Sequence, residues 1–220
     1  SPGANAITTL KEVRAKIEEL QKRFPEDLAW KVTYDPTVFV TDTIHEVLKT
    51  LFEAFILVVI VVYLFLGSIR ATLIPTIAVP VSLIGTFIVL LAVGYSANSV
   101  SLLAVVLAIG IVVDDAIVVV ENVERVMEEH PELSPADATK RAMAEITAPI
   151  VAITLVLLSV FVPVAFIPGI SGELFRQFAV TVAVSMFLSA INALTLSPAL
   201  SAVLLRPHHG PRRGPIGYVM

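Results

Sequence analysis

The chain has 220 residues, of which 56% are hydrophobic and 15% are charged, and its formal net charge is -4. A typical soluble domain has roughly 25% charged residues. The charges here are also unevenly placed, since 43 consecutive residues between Arg70 and Asp114, and 27 between Glu145 and Glu173, carry none. This pattern excludes a soluble globular domain and indicates an integral membrane protein. The absence of cysteine excludes a disulfide framework and a thiolate metal site.

The first 40 residues predict an aqueous segment. Residues 5–24 predict an amphipathic helix, because apolar residues recur there at steps of three and four. Residues 28–34 alternate, with Trp30, Val32 and Tyr34 on one side, which predicts a β-strand. One helix and one strand are too few to fold alone. Residues 1–40 are therefore expected to be the α+β end of a larger aqueous domain, and the chain to begin within a larger protein.

Five apolar segments follow that are long enough to cross a bilayer, which takes ~20 residues of helix. The predicted spans are residues 44–66, 71–93, 99–120, 147–167 and 175–205. The predicted fold class is thus an α-helical integral membrane protein with five transmembrane helices, and the transmembrane domain covers residues 41–207. The fifth span is unusually long, so it is expected to protrude, tilt or bend near Pro198.

The segments between and after these spans are polar. Residues 121–145 form a charged loop, in which Ser134 is expected to cap a surface helix with Pro135 at its first position. Residues 208–220 form a polar tail, whose His208–His209 pair alone does not make a metal site.

Lysine and arginine in the short loops predict the orientation, because these residues favour the cytoplasmic side. The turn after span one, the loop at 121–145 and the tail lie on one side and hold seven positive residues, whereas the opposite short loops hold only Arg176. The loop and the tail are therefore predicted to be cytoplasmic. The amino-terminal segment is predicted to face outward, which is the periplasm if the protein is bacterial.

Two adjacent carboxylates, Asp114 and Asp115, interrupt the third span. An ionisable residue at the centre of a membrane helix costs roughly 2.5 to 3.5 kcal/mol on insertion scales, and such residues commonly mark an ion or proton pathway. Adjacent carboxyls titrate as a coupled pair. We therefore predict that they bind and release protons. The alternative is that the pair holds helices together through a cation on another helix.

Three further residues in or next to the spans are candidates for helix packing. Gly110 lies one turn before Asp114 on the same face, where it would let a neighbouring helix approach closely. Asn98 and Asn192 are expected to form hydrogen bonds between helices, in a packing role.

The sequence around the aspartates closely resembles that of a known family. Residues 110–125, Gly-Ile-Val-Val-Asp-Asp-Ala-Ile-Val-Val-Val-Glu-Asn-Val-Glu-Arg, are similar to the fourth transmembrane helix of resistance-nodulation-division (RND) efflux pumps of the hydrophobe/amphiphile class. Residues 44–51, 63–80, 175–178 and 196–200 resemble the family's second, third and sixth helices. The resemblance covers residues 3–207.

This resemblance implies proton-driven efflux of drugs and other amphiphilic compounds, with Asp114 and Asp115 as the proton-binding pair. It implies a homotrimer in the bacterial inner membrane, working with a periplasmic adaptor and an outer-membrane channel. Residues 1–40 would then be the end of a porter subdomain, and the chain a piece covering helices two to six. The family places the lysine that pairs with the aspartates in its second half. The predicted spans here hold no lysine in their apolar parts, since Lys49 lies at the polar start of the first span.

Two other functions are open on sequence grounds. One is a membrane sensing module, because five-helix segments of similar layout serve as sterol-sensing domains in related proteins. The other is a protein-export accessory of the same superfamily. The aspartate pair and its flanking motifs favour efflux over both. No glycine-rich ATP-binding loop is present, so transport would be secondary and the chain is not expected to be an enzyme or to need a cofactor.

Overall fold

All regular secondary structure in residues 6–25, 27–95 and 98–206, the parts that this computed structural model describes, is helical. The described helices are α1 Ala6–Gln21, α2 Pro36–Leu66, α3 Ile69–Ala92, α4 Ser99–Glu129, α5 Pro135–Val164, α6 Ile170–Leu194 and α7 Leu196–Leu204. Helices α2, α3, α4 and α5 and the α6–α7 pair provide five segments long and apolar enough to cross a membrane. The prediction of five spanning helices is confirmed.

The chain divides into two compact units, with the boundary after Glu46. In the amino-terminal unit, the predicted amphipathic helix is present as α1. Arg14 on this helix forms an ion pair with Asp35, at 2.5 Å between Nη2 and Oδ2. Asp35 also accepts from the backbone N–H of Thr37 at 2.9 Å and from its hydroxyl at 2.7 Å, and so caps the first turn of α2.

The strand predicted at residues 28–34 is not confirmed. These residues have no regular secondary structure and no strand lies beside them in the described chain. Alternation alone does not make a strand, because the backbone needs a neighbour with which to form a ladder. The Trp30 side chain instead donates its indole N–H to Gln21 Oε1 at 2.9 Å. The α+β character expected for residues 1–40 is therefore absent from their described part.

The charged segment at 121–145 is more helical than predicted. Helix α4 continues to Glu129 and α5 begins at Pro135, which leaves only residues 130–134 between them. The predicted cap is confirmed, since the Ser134 hydroxyl accepts from the backbone N–H of Asp137 with Pro135 at the first helical position. The tail at 208–220 lies outside the described residues.

Side-chain bonds join the carboxyl-terminal part of α4 to the amino-terminal part of α5. The Asn122 amide donates to the Ala142 carbonyl at 3.0 Å. Arg125 pairs with Glu129 at 2.8 Å and also with Glu145 across the gap between the helices. These pairs explain why α4 remains helical beyond its apolar part, because charged partners one turn apart stabilise a helix.

Helix α4 lies at the centre of the carboxyl-terminal unit and packs most extensively against α6. Small side chains on α4 are completely buried, including Ala104 and Ala108 at 0% exposure. On α6, Ala179 and Val182 are equally buried. Small residues allow membrane helices to approach closely, and close van der Waals packing holds such helices together.

Prolines act differently in α3 and in the last span. Pro75 and Pro80 lie inside α3, which nevertheless continues to Ala92. The last span breaks at Thr195 between α6 and α7, which matches the predicted bend near Pro198. Proline has no N–H to donate to the carbonyl four residues earlier and its ring clashes with that carbonyl. For Pro198 that residue is Leu194, where α6 ends.

Two glycines fix the entry into α6. Gly169 has a φ of 93°, a backbone conformation that residues with a Cβ rarely adopt. A Cβ added at Gly172 would lie 2.0 Å from the Ile167 carbonyl oxygen, so only glycine allows this approach. The pair thereby fixes the shape of the turn that precedes α6.

Candidate functional site

The candidate site lies near the middle of α4, where the aspartates interrupt an apolar helix. Helix α4 begins with a capping box, in which Asn98 accepts from the backbone N–H of Val100 and Ser101, and Ser101 accepts from the backbone N–H of Asn98. The following apolar face is buried against the other helices of this unit. The resulting helix holds both carboxylates in one fixed register.

The two aspartates have different surroundings. Asp115 is partly buried and faces α6, whereas Asp114 is exposed. Successive residues of a helix are about 100° apart, so two adjacent side chains do not point in the same direction. The pair therefore presents one carboxylate to the helix packing and one to the open face of α4.

Asp115 is held by Ser189 of α6. The Ser189 hydroxyl lies 2.6 Å from Asp115 Oδ2 and 3.2 Å from the Val112 carbonyl oxygen, and Ser189 is 2% exposed. A distance of about 2.5 to 2.7 Å is typical of a hydroxyl that donates to a carboxylate. The sequence analysis missed Ser189. Its signal was the spacing of Thr181, Ser185 and Ser189, which puts three hydroxyls on one stripe of α6.

Asp114 lies on the open face of α4. Within the described chain no lysine or arginine forms an ion pair with it. Leu103 and Leu107 share this face, with exposures of 57% and 48%. An ionised carboxylate inside a membrane is stabilised by a polar or cationic partner or by water.

The packing role of Gly110 remains a prediction. Gly110 lies on the same open face as Asp114, and a Cβ added there would meet no described atom within 4 Å. The face that packs against the other described helices contains Val112, Val113 and Ala116. A glycine lets a helix approach only on its own side, so the neighbour expected at Gly110 is not one of the described helices.

Both asparagines form the predicted bonds between helices. The Asn98 amide donates to Gln177 Oε1 at 2.8 Å, which links the start of α4 to α6. The Asn192 amide donates to Ser82 Oγ at 2.7 Å, which links α6 to α3. A further bond between the buried hydroxyls of Thr86 and Ser185, at 3.1 Å, joins the same two helices. The two asparagine bonds hold α6 against α4 and α3.

Comparison with known proteins decides the family. A sequence profile described as the AcrB/AcrD/AcrF family matches residues 1–218. The chain belongs to the AcrB/AcrD/AcrF family. The resemblance to RND multidrug efflux transporters is thereby confirmed. Together with the five apolar helices, it identifies a multi-pass protein of the bacterial inner membrane.

Several characterised relatives are similar over nearly the whole chain. The multidrug export protein AcrF of Escherichia coli (strain K12) is 53% identical over 220 residues, covering 98% of this chain and 21% of AcrF. The multidrug resistance protein MdtF of the same strain is 50% identical over 204 residues, or 93% of this chain and 20% of MdtF.

A third relative comes from another genus. The toluene efflux pump membrane transporter TtgB of Pseudomonas putida is 48% identical over 221 residues, covering 98% of this chain and 21% of TtgB. The chain thus spans about one fifth of the length of these relatives.

Proposed function

We propose that this chain forms the part of a proton-driven efflux transporter that carries its proton-binding pair, Asp114 and Asp115. The observation that carries the proposal is the placement of two adjacent carboxylates in the apolar middle of α4, one bonded to α6 and one on an open face. Membership of a family whose relatives are named as efflux transporters supports it.

The two surroundings suit a site that takes up and releases a proton. One carboxylate is anchored in the helix packing, and the other is accessible to a group or to water that the open face admits. Because they are neighbours, they titrate as one coupled pair. A cation approaching Asp114 favours the ionised pair, and its withdrawal favours proton uptake.

The driving force is sufficient in size. Moving one elementary charge across 100 mV is worth about 2.3 kcal/mol. Coupling proton passage to helix movement would use this energy for transport. The cation that approaches Asp114 is proposed to come from the rest of the transporter, as the family resemblance implies.

The cargo of the whole transporter is inferred from the names of the relatives, and its partners from the family resemblance. AcrF and MdtF are named for multidrug export or resistance, and TtgB for toluene efflux. We infer that the full protein exports drugs and other amphiphilic compounds. It would do so as a homotrimer with a periplasmic adaptor and an outer-membrane channel, with residues 1–40 on the periplasmic side.

Replacing each aspartate by the neutral asparagine in the full-length transporter tests the proton-binding role. Asp114→Asn and Asp115→Asn each remove a titratable group with little change in size. We expect each to abolish efflux of a fluorescent dye from cells that lack other pumps, with unchanged amounts of protein in the membrane. Glu121→Gln is the matched control on α4, because Glu121 is exposed and lies beyond the predicted third span, and should pump normally. Normal efflux by both aspartate variants would refute the assignment.

A further inference from the structure

Ser189 has one hydroxyl proton and two possible acceptors for it, Asp115 Oδ2 and the Val112 carbonyl oxygen. The shorter distance, 2.6 Å, is to Asp115, and it matches donation to an ionised carboxylate. The longer distance, 3.2 Å, is to the Val112 carbonyl oxygen, and the same hydroxyl proton can turn toward it by rotation about the Cβ–Oγ bond. Both acceptors lie on α4, and Ser189 lies on α6.

The protonation state of Asp115 decides which bond is possible. An ionised carboxylate only accepts hydrogen bonds, so Ser189 must be the donor. A protonated carboxyl has an O–H of its own, which can donate to Ser189 Oγ. The serine proton is then free to turn to the Val112 carbonyl, so that Ser189 and Asp115 remain bonded to each other in both states.

We propose that Ser189 is a positioning residue for the proton step, donating to Asp115 when it is ionised and to the Val112 carbonyl when it is protonated. This inference rests on the proposed proton-binding role of Asp115. The exchange keeps the Ser189 hydroxyl and the Asp115 carboxyl bonded in both states, and so avoids the cost of leaving a buried polar group unbonded inside a membrane. Which atom of α4 accepts from Ser189 then depends on the proton.

The surroundings leave Asp115 few other partners within this chain. Asp114 is its neighbour on α4. On the helices of the same unit, the charged or titratable side chains lie toward the ends rather than beside Ser189: Arg70 on α3, Asp137, Lys140, Arg141 and Glu145 on α5, Glu173 and Arg176 on α6, and Lys49, Glu53 and Tyr63 on α2. The remaining charges of α4 begin at Glu121. Among the described residues, Ser189 is the one whose hydroxyl donates a hydrogen bond to the Asp115 carboxylate.

The test uses the full-length transporter in proteoliposomes. Ser189→Ala removes the hydroxyl and little volume. Ser185→Ala is the matched control, since Ser185 is also a fully buried serine on the same stripe of α6, but bonds Thr86 and the Thr181 carbonyl instead of a carboxylate. Efflux is measured against pH, and the infrared C=O band of protonated Asp115 is assigned by its loss in Asp115→Asn.

We expect Ser189→Ala to move the midpoint of the pH profile by about 0.4 pH unit or more, and to shift the Asp115 infrared band. That midpoint change corresponds to the ~0.6 kcal/mol average for a hydrogen bond between membrane helices. Ser185→Ala should change neither. Ser189→Thr, which keeps a hydroxyl, should restore the wild-type midpoint and band.

The outcomes separate the two proposals. If Asp115→Asn pumps normally, the proposed function itself is refuted. If Asp115→Asn is inactive but Ser189→Ala has the wild-type midpoint and band, only the role of Ser189 is refuted. A shift in Ser189→Thr equal to that in Ser189→Ala would attribute the effect to packing, and would also overturn it.

Discussion

Helices α2 and α4 have the same length, 31 residues, but very different packing. Of the most apolar 18 residues of each, 50% are buried in α4 and only 6% in α2. Both are apolar enough to cross a membrane. Hydropathy therefore locates membrane helices, but does not tell which of them pack against one another.

Side-chain size accounts for the difference. Lipid tails are as apolar as leucine, so membrane helices gain little by hiding large apolar side chains from them. Helix α4 has small side chains on its packed face, such as Ala104 and Ala108. Helix α2 has bulky ones, including Phe65, which is 73% exposed, and only Val62 is deeply buried.

The largest effect in this comparison should come from a cavity. Ile109→Ala in α4 truncates a side chain that is 1% exposed, and we expect a loss of about 2 kcal/mol, the low end of the usual range. The matched change Ile60→Ala in α2, where isoleucine is 54% exposed, should cost less than about 0.5 kcal/mol. Apparent melting temperature of the full transporter, followed by size-exclusion chromatography, measures both. Equal losses would show that α2 is covered in the whole protein and would break the comparison.

A smaller effect should come from the polar anchor of α4. Asn98→Ala removes both the helix cap and the bond to Gln177, so we expect a loss of about 1 kcal/mol. Thr43→Ala in α2 removes only a hydroxyl bond to the Phe39 carbonyl of its own helix, and should be almost neutral. The same melting assay compares them. A neutral Asn98→Ala would mean that packing alone fixes the start of α4.

The smallest effect should be a pH response at the start of α2. Hydrogen bonds from Thr37, with Arg14 nearby, hold the pKa of Asp35 below its usual value. A carboxyl with a lowered pKa stabilises the folded form fully above its unfolded pKa of about 3.9, and this contribution is lost as pH falls through the lower folded value. We expect the Thr37 amide to lose protection from hydrogen exchange below about pH 4, after correction for the intrinsic rate. Asp35→Asn, which keeps the cap oxygen, should not show this loss.

Much of the fold was predictable because its signals are local. Apolar length predicted five spans, and the Ser134–Pro135 pair predicted the start of α5. The strand at 28–34 was wrong because a strand depends on a partner that local alternation does not reveal. The extent of α4 was underestimated because charge was taken as the end of a helix, whereas Arg125 and Glu129 stabilise it by pairing.

The site was predicted only in part. The aspartate pair is visible in sequence, because carboxylates are rare in an apolar run. Which of the two faces α6 depends on how the helices pack, and that information is not local. For the same reason the sequence does not reveal which helix lies beside Gly110, since the face that carries it has no neighbour in the described chain. Ser189 was not predicted, because serine is common in membrane helices.

The side-chain bonds between α4 and α5 have a mechanical consequence. With a rise of about 1.5 Å per residue, the 31 residues of α4 extend about 46 Å, well beyond a hydrocarbon layer of about 30 Å. The protruding end is tied to α5 by Asn122 and Arg125. An axial or tilting movement of α4 would therefore pull on α5 as well, for as long as these bonds hold. The bonds would in this way pass a movement from the membrane interior to its aqueous face.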